Sequence, residues 1–160
     1  MMLPLRLVLR GINGLFFMHP LVRTLGNVKI GTFSEIGPFV FLNAGKLGII
    51  IGKFAQINPN VSIIGSVKID DRVLIAPGVV IASGGHIISR DTSPRFSGSE
   101  DRGVLEIGSD CWIGANATII GVIKIGSGSV IGAGTFVNQD IPPGSIVKQQ
   151  ERNLSIKPIH

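Results

Sequence analysis

The chain has 160 residues, a length that suits one compact domain. Apolar residues make up 44% of it and charged residues 16%, a balance that excludes intrinsic disorder. The net charge is +5, but the basic residues form no patch with aromatic platforms, so we expect no nucleic-acid binding. An anionic small ligand fits this diffuse charge. The single cysteine, Cys111, excludes an intrachain disulfide and favours a reducing, cytoplasmic compartment.

The first predicted element is the apolar stretch at residues 3–22, which Arg6 and Arg10 interrupt. No uninterrupted apolar run reaches the roughly 20 residues that a membrane span needs. No small-residue cleavage site follows, so we predict no signal peptide. We expect residues 1–25 to form a helical capping segment with Pro4 in its first turn. The alternative is a helix lying peripherally at the inner membrane surface through residues 3–22.

Aliphatic residues then recur every six positions, and each is preceded two positions earlier by a small or aliphatic residue. The two main series are Ile51, Ile57, Ile63, Ile69, Ile75 and Ile81, and Ile107, Ile113, Ile119, Ile125, Ile131 and Val137. An α-helical stripe would repeat near 3.6 residues, so this period excludes one. Three six-residue units close one triangular coil, and successive coils pair as parallel strands about 4.8 Å apart. We predict an all-β parallel β-helix of about five coils over residues 26–144, followed by a tail at 145–160.

Two breaks interrupt the period. A nine-residue step predicts a small bulge at residues 43–48. Later, Ile87 maintains the six-residue spacing, and residues 88–106 then form a polar segment that is rich in Ser, Pro and charged residues. We predict that this segment is a loop extruded from the wall, where function usually lies. His86 immediately precedes Ile87, which we expect to face inward, so the histidine should point outward.

Several short motifs accompany the repeat. They are Ile75-Ala76-Pro77, Gly85-His86, Trp112-Ile113-Gly114, Ile131-Gly132-Ala133-Gly134 and Asp140-Ile141-Pro142-Pro143. With them, the chain resembles the hexapeptide-repeat acyltransferases over roughly residues 26–144, particularly the branch of maltose, galactoside and polysaccharide O-acetyltransferases. The resemblance implies a left-handed β-helix and a homotrimer with its sites between subunits. It also implies acetyl-CoA as co-substrate and no metal.

The resemblance assigns roles to individual residues. His86 stands where the family places a general base, which would deprotonate a sugar hydroxyl as it attacks the thioester. Trp112 would line the acyl-CoA tunnel, although packing against a neighbouring subunit is an equal alternative. Ala115 and Ala133 match positions that contact the pantetheine arm. The partner that orients His86 stays open: candidates are Asp91, Asp70, Asp71, Glu35, Glu100 and a backbone carbonyl.

Further positions concern the acceptor and the C-terminal end. Gln56 falls where galactoside-type enzymes hold an acceptor-binding asparagine, and Asn58 is a substitute two residues on. Gln139 replaces a lysine that the family often uses against the CoA phosphates. Lys148 and later basic residues of the tail could supply that charge instead.

The sequence therefore predicts an acetyl-CoA-dependent O-acetyltransferase acting on a sugar or polysaccharide precursor. Alternatives are an N-acetyltransferase acting on an amino-sugar nucleotide and a non-catalytic β-helix scaffold. A zinc hydratase on the same fold would need three histidine ligands, and the repeat region has one. Cys111 occupies an inward, small-residue position, so we interpret it as a core residue and not as a nucleophile.

Overall fold

The computed structural model describes residues 7–11 and 14–149, and these residues form strands, turns and loops with no helix. In chain order the strands are β1 Leu7–Gly11, β2 Gly14–Met18, β3 Arg23–Leu25, β4 Val28–Ile30, β5 Glu35–Ile36, β6 Phe41–Ile51, β7 Gln56–Ile57, β8 Ser62–Ile69, β9 Leu74–Ile75, β10 Val80–Ala82, β11 Gly85–His86, β12 Ser99–Glu100, β13 Val104–Ile107, β14 Trp112–Ile113, β15 Thr118–Ile120, β16 Lys124–Ile125, β17 Val130–Ile131, β18 Phe136–Val137 and β19 Ile146–Val147. Among the described residues there is accordingly no helix that is long and apolar enough to span a membrane.

The strands form a three-sided parallel solenoid of about seven turns. Side A stacks β2, β5, β7, β9, β14, β17 and β19 in that order. The long strands β6 and β8 each bend at a corner and contribute to both other sides. Side B contains β3, the first parts of β6 and β8, and then β10, β15 and β18. Side C contains β4, the second parts of β6 and β8, and then β13 and β16. Each turn passes from side A to B to C, so we name its corners AB, BC and CA. The predicted all-β parallel β-helix is confirmed, with more turns than the five expected because strands are added at both ends.

The inward residues stack in columns that run along the solenoid. On side A, Ile75 pairs in register with Ile113, which pairs with Ile131, and all three are fully buried. The residues two positions earlier are buried as well, among them Val73 and Cys111. Each turn therefore buries its apolar surface mainly against its neighbours. This confirms the two inward positions per repeat that the sequence predicted.

Cys111 is a core residue, as predicted. Its side chain is 1% exposed, and its Sγ–H donates to the Gly126 carbonyl at 3.2 Å. Burial raises the pKa of the Cys111 thiol, which disfavours the thiolate that a nucleophile needs.

The predicted N-terminal helix is wrong for the residues that the structure describes. β1 and β2 form an antiparallel hairpin, and β2 pairs in parallel with β5. The Phe17 N–H donates to the Ser34 carbonyl at 2.8 Å, and Phe16 is buried. Without β2, the edge of β5 would expose unpaired backbone groups, and these groups favour the addition of a strand. Pro4 and Arg6 lie outside the described residues.

The two breaks in the period appear at the BC corner. The first is the bulge, seen as a register shift in β6 between Ala44 and Ile49, as predicted. The second is the extruded loop, which leaves the wall after buried Ser83 and returns at β13, so it begins and ends earlier than predicted. Ile87 is 42% exposed, so the expectation that it faces inward is wrong. The reason is that the β11–β12 ladder carries the chain away from the core at this point.

Glycine at the corners is required mainly by the close approach of successive turns. A Cβ added to Gly114 would lie 2.6 Å from the Ala133 backbone nitrogen and 2.8 Å from the Ile131 oxygen. The left-handed corner positions, in contrast, are often occupied by other residues, such as Asn116 at φ 56° and Asp110 at φ 61°. Space between turns, more than backbone conformation, therefore selects glycine after the inward aliphatic residue.

We predict that Gly114→Ala lowers the free energy of unfolding by about 1–3 kcal/mol, because the methyl group must push two turns apart. Gly85→Ala is the matched control, since its added Cβ would meet no atom within 4 Å. Urea denaturation of both variants measures the difference. Equal stability of the two variants would show that turn spacing does not select glycine at this corner.

Candidate functional site

His86 lies on the extruded loop at the BC corner. The loop begins as a short antiparallel ladder in which His86 is opposite Ser99. The imidazole is exposed, and its Nδ1 lies 3.2 Å from the Gly98 carbonyl oxygen. Because a carbonyl oxygen only accepts, this hydrogen bond places the proton on Nδ1. The neutral imidazole then carries its basic lone pair on Nε2.

Of the partners for His86 that the sequence left open, the structure provides the backbone carbonyl of Gly98. Several of the carboxylates have other partners: Asp70 pairs with Lys68 at 3.1 Å, Glu100 pairs with Arg102 at 2.8 Å, and Asp71 accepts the Lys53 N–H at 2.7 Å. Gly98 has φ +81°, and its carbonyl also accepts the Ile87 N–H at 3.2 Å. The orientation of the imidazole is therefore determined by the fold of the loop itself.

A hydrogen-bond network anchors the base of this loop to the bulge two turns away. Asp101 Oδ2 accepts the Ser66 hydroxyl at 2.7 Å and the Lys46 N–H at 2.6 Å. Ser66 in turn donates its N–H to the Ser83 hydroxyl at 2.7 Å and accepts the Leu47 N–H at 3.0 Å. Donation from Ser66 is the main reason that the pKa of Asp101 is below its ordinary value of 3.8. Three successive BC corners are thus tied together around one carboxylate.

Sequence reasoning did not single out Asp101. The sequence does contain a pattern that indicates a polar partner at this corner. Ser66 and Ser83 occupy the same corner on successive turns, and buried hydroxyl groups need hydrogen-bond partners. Which carboxylate of the loop would reach them depends on the path of the loop, which the repeat does not encode.

Trp112 lies on the outward face of side A and is 50% exposed. In the outward column, Gln56 pairs with Leu74, and Leu74 pairs with Trp112. Gln56 and Trp112 are therefore two strand spacings, or about 10 Å, apart. Asn58 follows on the same turn, and its Nδ2 donates to the Ile75 carbonyl at 2.8 Å.

The other predicted cofactor residues divide into two groups. Ala115 and Ala133 occupy the AB corner on adjacent turns, where the Gly134 N–H donates to the Ala115 carbonyl at 2.8 Å. Lys148 directly follows β19, the last strand of side A, and is exposed. These three share one end of side A with Trp112. Gln139 does not join them, because it lies at the BC corner after β18.

Within one chain the structure does not bring His86 to this group. In a triangular turn, the BC corner lies opposite side A, and the core fills the space between them. His86 and Trp112 therefore lie on opposite sides of the same solenoid. A ligand that contacts both residues would need each of them from a different chain.

A groove of about 240 Å³ lies at the N-terminal end of side A. Its polar lining includes Glu35, Gln56 and Asn58, and its apolar lining includes Phe17 and Met18. Glu35 and Gln56 are direct neighbours in the strand register. Among residues 7–11 and 14–149, no group of three or more His, Cys, Asp or Glu side chains could hold a metal ion.

Comparison with known proteins agrees with the repeat structure of the chain. The family described as "Bacterial transferase hexapeptide (six repeats)" matches residues 48–83 and 106–139, which leaves out the extruded loop. A galactoside O-acetyltransferase of Escherichia coli is 35% identical over 119 residues, covering 73% of this chain and 57% of that protein. Residues 48–83 and 106–139 of the chain therefore carry the repeats of the bacterial transferase hexapeptide family.

Solved structures extend the comparison. A hexapeptide-repeat acetyltransferase from Vibrio cholerae, complexed with acetyl coenzyme A, is 31% identical with a TM-score of 0.63, covering 73% of this chain and 63% of that one. AntD, an N-acyltransferase from Bacillus cereus, has a TM-score of 0.70 at 17% identity over 82% of this chain and 75% of that one, which shows a shared fold. The chain spans 57% of the E. coli protein and 27% of a bifunctional GlmU protein from Wolbachia pipientis.

We predict that Asp101→Ala speeds hydrogen exchange at the Lys46 amide, because it removes the acceptor of that N–H. In the unchanged protein, a carboxyl with a lowered pKa stabilises the fold above its ordinary pKa and loses that effect as pH falls through the lowered value. Lys46 protection should therefore be constant near neutral pH and decline only below about pH 4. Asp91→Asn on the same loop is the control. Unchanged exchange in Asp101→Ala would contradict the anchor.

Proposed function

We propose that this chain is an acyltransferase that moves an acetyl group from acetyl-CoA to a hydroxyl of a sugar or polysaccharide precursor. The observation that carries the proposal is His86, exposed on a loop with Nδ1 bonded to the Gly98 carbonyl and Nε2 available as a base. The match of the repeats to the hexapeptide family and the similarity to an O-acetyltransferase support the same class of reaction. Because the chain spans little more than half of that relative, the activity itself is the subject of the experiments below.

The chemistry follows from the state of the imidazole. His86 Nε2 takes the proton of the acceptor hydroxyl while the hydroxyl oxygen forms a bond to the thioester carbon. The tetrahedral intermediate collapses by breaking the carbon–sulfur bond, and the CoA thiolate takes the proton back from the imidazolium. Backbone N–H groups of the wall can stabilise the transient oxyanion. The Gly98 carbonyl stabilises the imidazolium and keeps the ring oriented, as a third group does in other base-assisted transfers.

For the cofactor, we propose a path along the C-terminal half of side A and the AB corner. Trp112 would flank the acyl end, and the short side chains of Ala115 and Ala133 would let the pantetheine arm approach the wall. Lys148 offers positive charge at that end for the CoA phosphates. Gln139 shares the BC corner with the His86 loop, so it would reach the cofactor from the chain that supplies His86.

A trimer would complete this site. The outward residues of side C are charged except for Ile50, and Lys68 and Lys124 form exposed ion pairs with Asp70 and Glu106, respectively. The outward residues of sides A and B are mostly apolar: Leu74, Trp112, Val130 and Ile146 on side A, and Phe41, Val80 and Phe136 on side B. Sides A and B are therefore suited to be covered by other copies, while side C is suited to water. In a closed ring, the BC corner of one chain would face side A of the next.

The acceptor would occupy the groove at the N-terminal end of side A. Gln56 and Asn58 offer amide groups for sugar hydroxyls, although one Asn58 N–H is already given to the Ile75 carbonyl. Glu35 favours a second candidate, N-acetylation of an amino sugar, because a carboxylate in the groove would accept a hydrogen bond from the neutral amine that attacks the thioester. Comparing a hydroxyl acceptor with its amino counterpart distinguishes the two reactions.

We predict that His86→Ala lowers kcat by about 10²–10⁴, because the hydroxyl loses its base, while acetyl-CoA binding is retained. Asp91→Asn is a control on the same loop and should leave kcat unchanged, since the Gly98 carbonyl orients the ring. Turnover with a panel of sugars and calorimetric binding measure the two effects. Full activity in His86→Ala would refute the assignment of the base.

We further predict that His86→Ala and Trp112→Ala complement each other when the two variants are unfolded together and refolded as mixed oligomers. If each site takes His86 from one chain and Trp112 from the next, about one site in four receives both intact residues. The mixture should regain about a quarter of the unchanged activity, whereas each variant alone stays low. No gain on mixing would place both residues in a site within one chain.

A further inference from the structure

Three phenylalanines adopt a left-handed backbone conformation that bulky residues rarely adopt. Phe33, Phe39 and Phe54 have φ values of 60°, 59° and 55°. All three lie in the first turns of the solenoid, and their side chains are 54%, 60% and 55% exposed. A strained backbone and an exposed aromatic ring both cost free energy. Within one chain, stacking between Phe33 and Phe54 covers only part of these two rings.

The same corner shows what the solenoid accepts elsewhere. At the CA corner, Phe33 and Phe54 are followed on later turns by Arg72 and Asp110, which share a two-point ion pair in water. The last two turns have Gly128 and Gly144 at this position. On the later turns, the left-handed position of this corner is thus occupied by a charged residue or by glycine. The exposed rings of Phe33 and Phe54, at the first two positions of the CA corner, are suited to contact an apolar partner instead of water.

The two CA-corner rings form a continuous apolar ridge. Their centroids are 5.3 Å apart with an interplanar angle of 24°. Leu15, whose carbonyl accepts the Phe33 N–H at 2.6 Å, extends the ridge and is 46% exposed. We refer to Leu15, Phe33 and Phe54 as the N-terminal ridge.

Charge on the first turns is almost entirely of one sign, and on the following turn Asp71 accepts the Lys53 N–H at 2.7 Å. Residues 15–69 contain Arg23, Lys29, Lys46, Lys53 and Lys68 against one acid, Glu35. Residues 70–149 reverse the balance, with six basic and eight acidic residues. Lys29 and Lys53 are exposed and lie on the two turns that carry Phe33 and Phe54. The basic, aromatic end of the solenoid is therefore complementary to a surface that is negative outside and apolar within.

We propose that the N-terminal ridge docks the protein end-on to an anionic lipid bilayer, with Phe33 and Phe54 entering the interface and Lys29 and Lys53 contacting headgroups. A second copy packed through the same ridge fits less well, because such a two-fold contact would set these lysines against their own counterparts. The His86 loop and the C-terminal half of side A stay in water, since they lie on later turns, whereas the groove lined by Glu35 and Gln56 lies on the same turns as the ridge. The proposal does not depend on the reaction catalysed.

Vesicle sedimentation with the full chain tests it. The protein should bind vesicles containing phosphatidylglycerol and not vesicles of phosphatidylcholine alone, and added salt should release it. The double substitution Phe33→Asn and Phe54→Asn should weaken binding at least tenfold, because each ring loses its apolar contact. Phe96→Asn removes a ring that is 77% exposed from the half of the chain with more acidic residues, and should not change binding.

A second pair of variants tests the charges. Lys29→Gln with Lys53→Gln should weaken binding to the anionic vesicles, whereas Lys124→Gln on side C of a later turn should not. Asparagine tolerates the left-handed region, so the thermal midpoint of the double phenylalanine variant should be unchanged or raised. A loss of binding would then not reflect unfolding.

Three results would overturn the proposal. The first is no binding of the unchanged protein to phosphatidylglycerol vesicles. The second is equal binding by the double phenylalanine variant. The third is dissociation of the oligomer in that variant with vesicle binding intact, which would make the ridge a contact between copies. Acetyl transfer to a soluble acceptor is measured separately, so failure of the proposed reaction is distinguishable from each of these.

Discussion

The structure depends on the vertical stacking of its turns. Each turn is too small to bury its own apolar residues, so the columns that contain Ile75, Ile113 and Ile131 stabilise the chain through contacts between turns. Stacking at the spacing of parallel strands leaves little room for a side chain where corners touch, and a Cβ added to Gly114 would lie 2.6 Å from the Ala133 backbone nitrogen. The inward columns and the glycine corners are two consequences of one constraint.

That constraint also determines where function can lie. A wall built by strict stacking can vary only in its outward residues and in the segments that leave it. The extruded loop uses the second route, and the Asp101 network binds its base to Ser66 and to the bulge. The result is a histidine held at one corner and a tryptophan on the opposite side of the same core. The separation follows from the triangular turn, and it makes association between chains part of the proposed mechanism.

Much of the fold was predictable from the sequence because a six-residue period has few structural solutions. The inward positions, the bulge and the existence of the loop all follow from where that period holds and where it fails. The N-terminal hairpin was not predictable in this way, because residues before Gly26 lack the period and their apolar composition suits either helix or strand. For Ile87 the period itself was misleading. Its position fits the six-residue spacing, but the β11–β12 ladder carries it away from the core.

The site was predictable in part. Trp112, Ala115 and Ala133 occupy outward or corner positions that the register determines, so their common location could be expected. The contact of His86 with Gly98 and the role of Asp101 depend on the path of the loop, which no periodicity encodes. Gln139 was grouped with the other cofactor residues on the resemblance alone, and the register places it at a different corner.

The central claim is that acetyl-CoA binds between chains, in a site that one solenoid cannot form. Calorimetric titration of the purified protein with acetyl-CoA, run beside sedimentation analysis of its oligomeric state, tests this most directly and requires no knowledge of the acceptor. The account predicts binding of one acetyl-CoA per chain, in the range of about 1 μM to 1 mM usual for such substrates, by the oligomer alone. Equal binding by a monomer, or no binding by the oligomer, would contradict it.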